Sequence, residues 1–209
     1  MVKKQSNSFM SCDGKTSIHV VMWRPDENEY DKPVAVLQIS HGMIEYIDRY
    51  DGFARFMADR GFVVVGNDHL GHGESVCSDD DLGFFKDEHP GEALAKDVHH
   101  LTVLTKKMYP GIPYYLLGHS MGSFVTRKYI CDYGYELDGV IIMGTGHQPT
   151  PMVLAGKALA DITRFIKGDR YRSRLISKIM FGAYNKRIKN VRTSNDWLSL
   201  IHISEPTRP

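Results

Sequence analysis

Long apolar runs are missing from this chain. No stretch approaches the roughly 18 consecutive apolar residues of a membrane-spanning helix, so a spanning helix is excluded from the sequence as it stands. An excess of charge is missing too: 26 Lys and Arg face 25 Asp and Glu, a net charge of +1. That balance argues against nucleic acid as a partner. Cysteine is scarce. Cys12, Cys77 and Cys131 are odd in number and far apart, which excludes a disulfide framework and fits reduced thiols in a cytoplasmic protein. Met1-Val2-Lys3-Lys4-Gln5-Ser6-Asn7 is basic with no apolar segment behind it, so no secretory signal is read there. Internal repeats and low-complexity linkers are also absent. What remains is an ordinary globular composition, 42% hydrophobic and 24% charged over 209 residues. That length can bury one good core with an appendage.

The chain alternates short apolar strands with helical patterns, the signature of a mostly parallel sheet with helices on both faces. Segments near 8–12 and 16–23 flank Asp13-Gly14, a hairpin signal. A buried strand is expected at 34–40, then a helix over 50–60 closed by Gly61. Residues 62–66 read as the next buried strand. A helix is expected over 91–109, with Leu94, Val98, Leu101 and Met108 on one face. Tyr114-Tyr115-Leu116-Leu117 and Val140-Ile141-Ile142-Met143 read as further strands.

The densest information lies in Gly118-His119-Ser120-Met121-Gly122. It spells G-x-S-x-G after a predicted strand and before a helical pattern with Phe124, Val125, Tyr129 and Ile130 on one face. Strand, sharp turn and helix are the context of a nucleophile elbow, where close packing demands glycines and a helix N-terminus favours developing negative charge. The competing reading is a chance match to a short pattern, but the flanking elements favour Ser120 as nucleophile. In such an architecture an oxyanion is bound by two backbone N–H groups. One belongs to the residue after the nucleophile, here Met121. The other comes from the loop after the earlier strand, where His41-Gly42-Met43 stands and Met43 is the expected donor. Taken alone, His-Gly at a strand end reads equally well as an ordinary turn.

His41-Gly42-Met43-Ile44-Glu45-Tyr46, Asn67-Asp68-His69-Leu70-Gly71-His72-Gly73-Glu74-Ser75 and the elbow, in this order and spacing, resemble the α/β-hydrolase family of monoacylglycerol lipases and lysophospholipases, also described as serine aminopeptidase-like. The resemblance implies an α/β-hydrolase fold and hydrolysis of lipid-like carboxylic esters through an acyl-enzyme on Ser120, with Met43 and Met121 as oxyanion-hole residues and no cofactor. It further implies that residues 1–146 are the N-terminal part of the core and that 147–197 begin a helical cap. Residues 152–166 are amphipathic, and Leu175, Ile176, Ile179 and Met180 suggest a second cap helix. The segment from Lys157 to Arg192 carries eleven Lys and Arg against two Asp, whereas Asp68 to Glu92 carries eight acids against one Lys. Either the two regions compensate each other or the basic helices are simply solvated, or else a basic cap draws the protein to anionic membrane lipid or to an anionic head group.

Several residues invite chemistry and are read more plainly. Asp68, His69 and His72 could suggest a metal, but no further ligand set is evident. His99 and His100 point in different directions on a helix and read as surface residues. Cys131 reads as packing. In this fold the triad runs Ser, acid, His along the chain. After Ser120 the only histidines are His147, too early for the base, and His202. Residues 198–209 match a one-frame translation of a transposon-type sequencing adapter and read as a non-native tail, which would strip His202 of catalytic meaning. The expectation is a C-terminally truncated fragment lacking the triad Asp and His and the last core strands, inactive by itself. Its substrate is a small acyl ester, with a general carboxylesterase or peptidase as alternatives within the enzyme class. A non-catalytic lipid-binding or interaction module is the alternative outside it.

Overall fold

The computed structural model describes residues 1–85 and 89–182; the expected tail at 198–209, the end of the expected cap and His202 lie outside them. The described residues fall into two compact units, the first Met1–Thr145 and the second beginning at Gly146.

In the first unit, β1 (Lys3–Met10) and β2 (Ser17–Arg24) form an antiparallel hairpin. Ser11 N–H closes the connection onto the Thr16 carbonyl at 2.9 Å, with Gly14 at φ +69. The strands β3 (Ala35–Ser40), β4 (Phe62–Asn67), β5 (Tyr114–His119) and β6 (Gly139–Met143) follow, separated by α1 (Asp51–Ala58), α2 (Pro90–Met108) and α3 (Met121–Tyr133). The sheet order is β1-β2-β4-β3-β5-β6, with β4, β3, β5 and β6 parallel. Residues of β3 are buried throughout and those of β4 nearly so. Their Val- and Ile-rich runs carry no polar alternation because helices cover both faces. One apolar cluster joins Val21, Trp23, Leu37, Ile39, Val64 and Ala54, and another joins Ile18, Leu94, Val98, Leu116, Val125 and Tyr129. Buried side chains of this kind stabilise by roughly 1.5–3 kcal/mol each.

Helix α1 follows a 3₁₀ turn over Ile47–Tyr50 and ends near Gly61, at φ +85, whose N–H bonds to the Ala58 carbonyl. Helix α2 starts with Pro90 in its first turn, where the missing N–H costs nothing. The second unit holds α4 (Thr150–Lys167) and α5 (Arg174–Phe181), the latter capped by the Ser173 hydroxyl accepting from the Ile176 N–H. No helix among the described residues is long and apolar enough to cross a membrane.

Three expectations change. The first strand begins at Lys3 instead of near residue 8, because KKQSNSFM is an exposed, polar edge strand whose order comes from pairing with β2. His99 is half-buried: its ring stacks on Tyr133 at 3.8 Å and bonds Glu136 at 3.0 Å. Cys131 is exposed, with its thiol bonded to the Arg127 carbonyl in the preceding turn, so it does not serve the core.

Candidate active site

Ser120 lies between β5 and α3 as the N-cap of the helix, at φ +51 and ψ −116. A non-glycine residue in that region is strained and persists only when its surroundings over-determine it. Here they do. The Ser120 N–H donates to the Met143 carbonyl at the end of β6 at 2.9 Å. The Ser120 carbonyl accepts from the Ser123 N–H at 2.9 Å and from the Ser123 hydroxyl at 2.6 Å. The two elbow glycines are required by contact. A Cβ on Gly118 would stand 2.6 Å from the Gly122 carbonyl oxygen. One on Gly122 would stand 2.6 Å from the His41 carbonyl oxygen and press on the Ser40 carbonyl.

The parallel pairing of β3 with β5, with Ser40 opposite Gly118, brings the loop after β3 beside the elbow. A Cβ on Gly42 would lie 3.0 Å from the Ser120 Cβ. The His41 ring orients this loop. Its Nε2 accepts the His69 N–H at 2.9 Å, so the ring proton sits on Nδ1 and is donated to the Gly42 carbonyl at 2.7 Å. Because a trans peptide is planar, fixing that carbonyl turns the Met43 N–H the opposite way. The Met43 N–H bonds to no other described residue. Neither does the Met121 N–H, which opens α3 and has no acceptor within the helix. The loop that carries Met43 thus lies beside the elbow that carries Ser120 and Met121, and among the described residues both N–H groups are left without an acceptor. The Ser120 hydroxyl makes no hydrogen bond to a described residue. His147 lies in the second unit.

A cluster with no assigned role in the sequence borders the same loop. The Glu45 carboxylate, its side chain 5% exposed, accepts at Oε1 from the Gly42 N–H, from His119 Nδ1 at 2.9 Å and from the Tyr50 hydroxyl at 3.0 Å. Its Oε2 faces Arg49 Nε at 3.6 Å. Burial works to raise the Glu45 pKa, but the hydrogen bonds from His119 and Gly42 outweigh it and hold the carboxyl below its usual value. The same bond to Glu45 raises the pKa of His119 against the opposing effect of burial. The only sign of this cluster in the sequence is Glu45 three residues after Gly42, within reach of its N–H.

Asp68, His69 and His72 are engaged structurally. The Asp68 carboxylate accepts the Ile47 N–H at 2.7 Å and the Glu74 N–H at 2.9 Å, while burial keeps its pKa raised. His69 Nε2 meets the Ser40 hydroxyl at 3.0 Å, and His72 Nδ1 meets the Leu70 carbonyl at 3.2 Å. The His41 ring centroid is 4.4 Å from that of His69 and 5.5 Å from that of His72. Burial, with neighbouring imidazoles, lowers His69 to about 3 and His41 well below 6.5; burial also lowers His72. Among the described residues no group of three or more His, Cys, Asp or Glu is placed to hold a metal ion.

Comparison with known proteins agrees with this architecture. A monoglyceride lipase homolog of Monkeypox virus is 33% identical over 153 residues, covering 70% of this chain and 51% of that protein. Human monoglyceride lipase is 30% identical over 133 residues, covering 64% of this chain and 39% of that protein. The chain therefore spans about half or less of the length of these relatives. The crystal structure of a thermostable carboxyl esterase from Bacillus coagulans, in complex with glycerol, superposes with a TM-score of 0.78 at 30% identity. That match covers 93% of this chain and 61% of the esterase. The fold is that of the α/β-hydrolases. Residues 31–198 match the family described as serine aminopeptidase, S33, and the chain belongs to that family.

Proposed function

We propose that Ser120 is the nucleophile of a serine hydrolase that cleaves carboxylic esters of lipid-like substrates, monoacylglycerols or lysophospholipids. The observation that carries this reading is a strained Ser120, at φ +51, with Gly42 packed against it and with the Met43 and Met121 N–H groups bonded to no other described residue. In the reaction the Ser120 oxygen attacks the ester carbonyl, and the carbonyl oxygen becomes an oxyanion received by those two donors. Collapse expels the alcohol, leaving an acyl-enzyme that water hydrolyses. The names of the viral and human relatives and of the esterase support an ester substrate.

The general base that this attack requires is not found among the described residues. His41 uses both ring nitrogens in the fold, and His119 is bonded to Glu45. The 209-residue chain expressed alone is therefore expected to turn esters over negligibly, since loss of triad members costs on the order of 10⁶ in rate.

The test is to express the protein from its own gene and follow hydrolysis of p-nitrophenyl butyrate, a monoacylglycerol and a lysophospholipid. Ser120→Ala is expected to lower kcat by about 10⁶-fold; full activity in that variant would sink the nucleophile assignment. Preference for the p-nitrophenyl ester, or for a peptide, would move the enzyme to a general carboxylesterase or a peptidase. Binding of the lipids without turnover would favour a non-catalytic lipid-binding module. Presenting the monoacylglycerol in anionic and in zwitterionic vesicles tests the basic second unit, where Arg164, Lys167, Arg174 and Lys178 stand near exposed Phe165, Ile166, Leu175 and Ile179. Faster turnover on anionic vesicles supports peripheral contact with the membrane.

A further inference from the structure

The Glu45 cluster joins two parts of the site that lie far apart in the chain. On one side is the loop of residues 41–45, which carries the Met43 N–H. On the other is His119, which immediately precedes Ser120. A single carboxylate oxygen, Glu45 Oε1, receives the Gly42 N–H, the His119 ring and the Tyr50 hydroxyl. Tyr50 and His119 are themselves 3.1 Å apart.

We propose that Glu45 is a positioning residue for the oxyanion hole: its carboxylate ties the Gly42 N–H to the His119 ring and so holds the Met43 donor at a fixed separation from the Met121 donor. The proposal rests on the reading of Ser120 as nucleophile. Three observations carry it. The first is the shared acceptor, which leaves the loop and the elbow no freedom to move apart without breaking a buried charged hydrogen bond. The second is backbone strain. Ile44, between Gly42 and Glu45, stands at φ +60, and among the described residues Ile44 and Ser120 are the non-glycine residues with positive φ. A β-branched residue in that region is an outlier that needs an external restraint, and the carboxylate next to it supplies one. The third is the burial of Glu45, 6% exposed as a residue. A carboxylate is kept out of water only when its charge is met, and here the donors meeting it come from both halves of the site.

Charge surrounds the cluster from several elements. Arg49 and Tyr50 face it from the 3₁₀ turn, His119 from the end of β5, His41 from the end of β3 and His72 from the loop after β4. His119 is the one of these whose pKa is raised toward the charged form by contact with Glu45. When His119 is protonated, the tie joins two opposite charges; when it is neutral, only the Glu45 carboxylate is charged and the tie is weaker. The Gly42 N–H, donating to the same oxygen, senses the change.

Two measurements on the protein expressed from its own gene test the proposal. The first is steady-state hydrolysis of p-nitrophenyl butyrate by Glu45→Gln, whose kcat is expected to fall about 10²-fold, the cost of a small misplacement at a reacting centre. KM is expected to stay near the wild-type value, because a donor used in the transition state is lost and not uniform binding. The second is ¹⁵N–¹H spectroscopy of the wild type across pH. The Gly42 amide is expected to shift with the same midpoint as the His119 ring, and Glu45→Gln is expected to abolish that shared titration. Should Glu45→Gln fail to fold, Tyr50→Phe removes one donor to the same oxygen and is expected to lower kcat about tenfold with KM little changed. Wild-type kcat in a folded Glu45→Gln, or a Gly42 amide that stays flat through the His119 titration, overturns the proposal. The nucleophile reading fails separately: an active Ser120→Ala would remove it while leaving the amide titration intact.

Discussion

At the scale of single residues, the site is built from backbone conformations that most side chains avoid. Ser120 is held at φ +51 by the bond from its N–H to Met143 and by α3 beginning immediately after it. Strain of this kind costs on the order of 1–3 kcal/mol, and a glycine at the position would relieve most of it. Ser120→Gly should therefore be more stable than Ser120→Ala by about 1 kcal/mol, after allowing for the greater freedom of glycine in the unfolded chain. Urea unfolding midpoints of the two variants check this; equal midpoints would mean that the turn is unstrained. Glycine serves a different purpose at Gly118 and Gly122, where neighbouring carbonyls occupy the space of a side chain. That need was legible in the sequence from the G-x-S-x-G spacing. The role of Glu45 was not, because it depends on His119 arriving from 74 residues away.

At the scale of elements, three imidazoles stand where the ends of β3 and β4 meet. His41, His69 and His72 are buried and held neutral, with His69 lowered from 6.5 to about 3. A histidine whose pKa falls on folding binds fewer protons in the native than in the unfolded state at acid pH. Stability is therefore expected to drop as pH falls below about 6.5, by roughly 1.4 kcal/mol per pH unit for each ring that stays neutral in the fold. His119 has the opposite sign: its pKa is raised, so its contribution is present at low pH and lost as pH rises through its folded value. Thermal melts from pH 7.5 to 5 test the balance, and a midpoint that does not fall over that range would contradict the burial of the three rings. The interior strands and α2 were readable because continuous Val and Ile runs and a 3.6-residue period belong to those elements whatever surrounds them. The polar edge strand β1 was not readable in full, since its residues are exposed and only the ladder to β2 orders them.

At the scale of the whole molecule, the chain divides at Thr145 and Gly146 into two units, and β6 is the last strand of the sheet among the described residues. Val140, Ile141, Ile142 and Met143 are between 36% and 48% exposed there. An exposed apolar edge strand invites pairing with another chain. The 209-residue chain expressed alone is accordingly expected to self-associate, with an apparent mass in light scattering that grows with concentration. A stable monomer across that range would show that the edge is covered. The register of β3 beside β5 has one more consequence, for recombination between family members. A crossover anywhere between β4 and β5 would set one parent's Ser40, His41 and Gly42 against the other parent's Gly118 and Gly122. The two halves meet with no slack for a side chain, so chimaeras joined there tolerate no side chain brought in at 118 or 122, while crossovers before β3 or after α3 carry the whole contact from one parent.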